Sequence, residues 1–137
     1  MKPSQLGVKI IRIVLGVILL VFGLNHFFQF MPMPEPPEAA MNFMKALMNS
    51  GFVWELIGIV EIIAGIMLIL GRYAALALIL FAPLAVGILL HHLFLDAAGG
   101  IAGYIVFILE VLLVYAYFDV YKPLLKPKAE ESTSESS

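Results

Sequence analysis

Seven polar side chains stand inside long apolar runs: Asn25, His26, Glu55, Glu61, His91, His92 and Glu110. A carboxylate at the centre of a hydrocarbon layer costs on the order of 3 kcal/mol on insertion scales. Such a residue is kept where it faces protein or water, and it is a functional candidate by default. These residue types support three chemistries. An unpaired carboxyl in an apolar place is less costly neutral than charged, and two close together share a proton, which would make a proton or small-molecule site. His26 with His91 or His92 and Glu55 would offer a mixed N and O set suited to iron, zinc or copper. Interhelical hydrogen bonds that fix packing and register are the third use, at roughly 0.6 kcal/mol each. No E-x-x-H or H-x-x-x-H spacing supports the metal set, and His91 and His92 diverge by about 100° on a helix. No metal site is therefore expected.

The elements that must hold these groups are apolar helices. The central stretch, 52–71, reads FVWELIGIVEIIAGIMLILG. At 1.5 Å rise per residue it crosses a hydrocarbon core of roughly 30 Å. On a helical wheel Glu55 and Glu61 flank a strip holding Gly58 and Gly65, and small residues mark close helix contact in membranes. Both carboxyls are thus expected to face a bundle interior. The other spans are expected at about 8–30, 73–95 and 101–121. Gly16 and Gly23 lie one heptad apart in the first, on the face that carries His26. Pro83 is expected to kink the third.

The segment 31–37, MPMPEPP, cannot continue a helix. Pro36, Pro37 and Glu38 then suit a helix start. The stretch 38–50 is too short to span. Met41, Met44 and Met48 give it an apolar stripe, so it is expected to lie at the membrane surface or cap the bundle. Residues 1–125 would form one membrane domain, and 126–137 a disordered tail.

Depth follows from these spans. Asn25, His26, Glu55, His91 and His92 fall about one turn inside the outer ends, and Glu61 and Glu110 fall near the midplane. They would form one funnel that opens outward and ends at two acids. Its candidate binding residues are Glu61, Glu110, His26, His91, Asn25 and Glu55.

The 137 residues are 62% hydrophobic, against roughly 45–50% for soluble domains. A net charge of −2 argues against nucleic acid as a partner. The absence of cysteine excludes thiol–disulfide chemistry by this chain. No phosphate loop or G-x-S-x-G elbow is present. Lys2, Lys9, Arg12, Arg72, Lys122, Lys126 and Lys128 fall on one side of the expected spans, and only Lys45 on the other. By the positive-inside rule both termini are expected to be cytoplasmic, which agrees with four spans.

The chain resembles the DoxX-like family of small four-span membrane proteins. The carrying runs are Arg12 to Gly16, Gly23-Leu24-Asn25-His26-Phe27, and above all the E-x-x-x-G-x-x-L-x-L-G-R run from Glu61 to Arg72. The resemblance covers most of 11–121. The family pattern often has Lys where this chain has His26. It implies an all-α four-transmembrane-helix bundle in a bacterial inner membrane, with a short extracytoplasmic helix between spans one and two. It also implies a membrane subunit or partner of a redox or quinone-linked system, with a redox enzyme as partner and quinone as the candidate cofactor. A small-solute or proton-coupled transporter, or a structural assembly factor, are the alternatives.

Overall fold

The computed structural model describes residues 4–32 and 34–128. Lys2, Met33 and the tail from Ala129 onward lie outside the described residues. The chain forms α1 (Gln5–Phe28), α2 (Glu38–Asn49), α3 (Val53–Leu70), α4 (Ala74–Leu95), α5 (Ile101–Ala116) and α6 (Phe118–Tyr121), then a 3-10 turn, Lys122–Leu125. There is no strand among the described residues.

The helix ends follow local chemistry. Ser4 caps α1, its Oγ accepting from Gly7 N at 3.0 Å. α1 ends where Gln29 turns left-handed, φ 47° and ψ 48°, ahead of the prolines that forbid helix. Glu38 stands in the first turn of α2, where the dipole favours an anion. Ser50 Oγ accepts from Val53 N at 2.9 Å and so starts α3. Gly71, at φ 72°, ends it. The Arg12 guanidinium crosses from α1 and donates to Leu68 O at 3.0 Å. A cation thus sits on the orphan carbonyls at the negative end of α3.

α1, α3 and α4 are each long and apolar enough to cross a membrane. α5 passes the same test only together with the segment after it, and the two are bent by 70°. The membrane spans therefore number three, or four if the bent pair is one span. Within the fourth span expected over 101–121, the straight helix covers Ile101–Ala116. Tyr121 is folded back under the bundle, where its hydroxyl donates to Ala75 O at 2.6 Å. α4 runs unbroken through Pro83, which is exposed on the outer surface of the bundle.

The four long helices pack as a ring, α1 to α3 to α4 to α5 and back to α1, so α3 and α5 lie diagonally opposite. α2 rests on the same end of α3 and α4. The α1–α3 pair is the most extensive, and its glycines explain why. A Cβ built on Gly65 would stand 2.7 Å from Gly16 O and 2.8 Å from Leu20 N. One built on Gly23 would stand 2.9 Å from Gly58 O. Gly16 meets Gly65 and Gly23 meets Gly58, so two heptad-spaced pairs let antiparallel backbones touch. In lipid there is no hydrophobic drive between helices, so close dispersion contact of this kind holds the pair.

Below this contact the core is filled. Leu15, Leu68, Leu78 and Phe81 are 0% exposed and Leu113 is 1% exposed. The outward faces carry Ile59, Ile63, Ile66, Leu76, Ile79, Leu90, Ile105, Ile108 and Leu112, all exposed. In water such a surface would be an aggregation liability, and in a bilayer it is the lipid-facing surface.

Glu55 is not inward-facing. It is exposed in the first turn of α3. The packed face of α3 is set by Gly58, Glu61, Ala64, Gly65 and Leu68. At 100° per residue Glu55 lies about 60° from Gly58 and about 120° from Glu61, beyond the edge of that face.

Candidate functional site

His26 ends α1 and Glu61 lies inside α3, and the two side chains meet. His26 Nδ1 is 3.5 Å from Glu61 Oε2. The glycine register puts their Cα atoms at different depths, about six residues or ~9 Å apart along the helix axes. Helical side chains lean toward the N-terminus of their own helix. In an antiparallel pair the two leans converge, so His26 reaches inward and Glu61 outward.

Two contacts hold the imidazole. Nδ1 donates to Phe22 O at 3.0 Å. A carbonyl only accepts, so Nδ1 carries a proton and Nε2 is the acceptor in the neutral ring. Trp54, in the first turn of α3, donates from Nε1 to His26 O at 3.1 Å. Its ring lies 4.3 Å from the imidazole, tilted by 44°. Glu61 is 4% exposed, and its Oε2 has no hydrogen-bond partner. The arrangement is a proton-bearing nitrogen and an unsatisfied carboxyl oxygen beside an aromatic wall.

The other candidates are placed differently. Asn25 Oδ1 accepts from Met31 N at 2.9 Å, so it braces the reversal after α1. His91 lies 5.5 Å from the Phe43 ring of α2 and 5.0 Å from His92. His92 in turn lies 6.1 Å from Tyr104 of α5. The Nδ1 atoms of both are buried and unpartnered. No hydrogen bond, ion pair or ring contact joins this cluster to His26 and Glu61. Glu110 is 3% exposed with neither carboxyl oxygen partnered, and it stands on α5, diagonal to α3. The two acids share no hydrogen bond. The residues expected in one funnel thus fall in a His26–Glu61 pair, a His91–His92 cluster, and Glu110 near Tyr121. Among the described residues no group of three or more His, Asp or Glu is placed to hold a metal ion.

Trp54 is the site residue that sequence reasoning missed. The signal that could have found it is the glycine pairing, because matching Gly23 to Gly58 brings the end of α1 against the start of α3.

A family model described as DoxX matches residues 7–93. The chain belongs to the DoxX family. The DoxX match runs from α1 to Leu93 near the end of α4, so it holds His26, Trp54 and Glu61 and leaves α5 with Glu110 outside. No curated protein and no solved structure gives a significant match. As a DoxX protein with apolar, lipid-facing helices it is an integral membrane protein.

Proposed function

We propose that this DoxX protein is the membrane subunit or partner of a redox or quinone-linked system, and that the His26–Glu61 pair is its binding site. The observation that carries this reading is the 3.5 Å approach of His26 Nδ1 to a buried Glu61 Oε2, an oxygen with no hydrogen-bond partner of its own. A buried polar atom left unpaired costs on the order of 1–3 kcal/mol, so a partner that satisfies it is favoured. A quinone head fits the donor set: its carbonyl accepts a hydrogen bond, and its ring packs on an aromatic face such as Trp54. A bound quinone would supply the electron acceptor. Glu61, with a proton on its carboxyl, would donate to that carbonyl, beside a His26 ring whose Nδ1–H is held on Phe22 O.

In this reading α5 crosses as the fourth span and the segment after it lies at the inner surface, α2 lies at the outer surface, and both termini are cytoplasmic, in a bacterial inner membrane. The transporter alternative needs a path through the inner half, where Leu15, Leu68, Leu78 and Phe81 are fully buried in contact with one another's helices. That packing supports a one-sided site.

Purification in a mild detergent, followed by solvent extraction, tests the reading. The wild type is expected to carry a quinone, or to bring a redox enzyme with it. Glu61→Gln is expected to lower the bound quinone about tenfold at a stability cost under about 1 kcal/mol. A wild-type protein free of both quinone and partner enzyme would overturn the proposal.

A further inference from the structure

The chain after α5 has no part in that site, yet it is shaped for one surface. It turns by 70° at the end of α5, so it runs across the end of the bundle and not along it. Tyr121, 7% exposed, pins it there by its bond to Ala75 O. The side chains left outward are Phe118, Val120, Leu124 and Leu125, at 42%, 58%, 70% and 66% exposure. Lys122, Lys126 and Lys128 alternate with them, all exposed. Asp119 is the one acid within 118–128, and its carboxylate lies 3.2 Å from Lys122 Nζ. The same end of the bundle carries Lys9 and Arg72, both exposed, and Arg12. Apolar side chains that point away from the protein, set among cations at the end of the bundle, match one partner.

We infer that residues 118–128 form an interfacial foot that docks on anionic lipid headgroups of the leaflet at the basic end of the bundle. Phe118, Val120, Leu124 and Leu125 enter the boundary between headgroups and acyl chains. The lysines neutralise lipid phosphates, as juxtamembrane basic segments do. Charge alone would not hold a surface at physiological salt beyond about 8 Å, so the apolar side chains set the depth and the lysines set the lipid preference.

The chain has no cysteine, so a single Leu124→Cys substitution reports alone. The full-length protein is reconstituted into nanodiscs of phosphatidylcholine, or of phosphatidylcholine with phosphatidylglycerol. The rate of modification by a membrane-impermeant thiol reagent is then read. Phosphatidylglycerol is expected to slow modification at least tenfold. Lys126→Gln and Lys128→Gln are each expected to restore about fivefold of that protection, from roughly 1 kcal/mol per lysine near an anionic surface. Raised salt is expected to do the same. Equal rates in the two lipid compositions, whether fast or slow, would overturn the inference. So would protection that persists in the double lysine variant, since it would assign the contact to a protein surface. None of these readouts depends on a quinone, so the foot and the His26–Glu61 site fail or stand separately.

Discussion

At the residue scale the molecule puts its polar chemistry where two helices touch. His26 has its ring fixed from two sides, by Phe22 O and by the Trp54 ring. Glu61 has nothing else within reach. Their coupling is therefore measurable as a pair. A double-mutant cycle of His26→Ala and Glu61→Gln, read by thermal melting in detergent, is expected to return about 0.6 kcal/mol and at most about 1.7, the range for interhelical hydrogen bonds in membranes. Strict additivity would show that the 3.5 Å approach carries no interaction. Glu61→Gln alone is expected to cost under about 1 kcal/mol, because an amide keeps one donor and one acceptor in the same volume. Glu61→Ala is expected to cost more, since it also leaves a cavity. Glu110 serves as the control. Neither of its oxygens is partnered, so Glu110→Gln is expected to show no coupling to His26.

At the scale of elements the α1–α3 pair is the frame, and its glycines are the sensitive points. Gly65→Leu is expected to destabilise by about 1–3 kcal/mol or more, because the new side chain meets backbone on both Gly16 and Leu20. Gly87→Ala is the matched control. A Cβ there meets nothing within 4 Å, and alanine is the better helix former, so a small gain of up to about 1 kcal/mol is expected. Similar melting shifts for the two variants would remove the glycine contact as an explanation of the pairing. Much of this frame was legible in the sequence, because heptad-spaced glycines in apolar helices admit few other uses. The break at the Pro-rich run and the short α2 were legible for the same reason, since proline chemistry is local. Other features were not. Glu55 lies one turn from Gly58 and shares a wheel sector with it, but which edge of that sector is covered depends on where α4 docks. The end of α5 at Ala116 was hidden because no proline or glycine marks it. Tyr121 beyond that stop binds a carbonyl of α4, a contact 46 residues away in sequence. The placing of Glu110 and Glu61 on diagonal helices was hidden too. Equal depth on two helices says nothing about whether those helices are neighbours or diagonal.

At the scale of the whole molecule the two ends of the bundle differ in charge, and this fixes an expectation for topology. Arg12 on α1 bonds the end of α3, and Tyr121 bonds the start of α4. The N-terminal end of α1, the C-terminal end of α3, the N-terminal end of α4 and the segment after α5 therefore share one end of the bundle. Lys9, Arg12, Arg72, Lys122, Lys126 and Lys128 are all at that end, and Lys45 on α2 is at the other. Basic residues close to short spans stay on the cytoplasmic side. Single cysteines placed at Lys45 and at Lys126, in an otherwise cysteine-free chain, are then expected to lie on opposite sides of the membrane. In intact right-side-out cells or vesicles an impermeant thiol reagent is expected to modify the cysteine at position 45, and the one at position 126 only after the membrane is opened. If both react before opening, the segment after α5 has not crossed, and the chain has three spans with α5 lying outside. That result would also move Glu110 out of the hydrocarbon layer, whereas the His26–Glu61 pair, built entirely from α1 and α3, would keep its place.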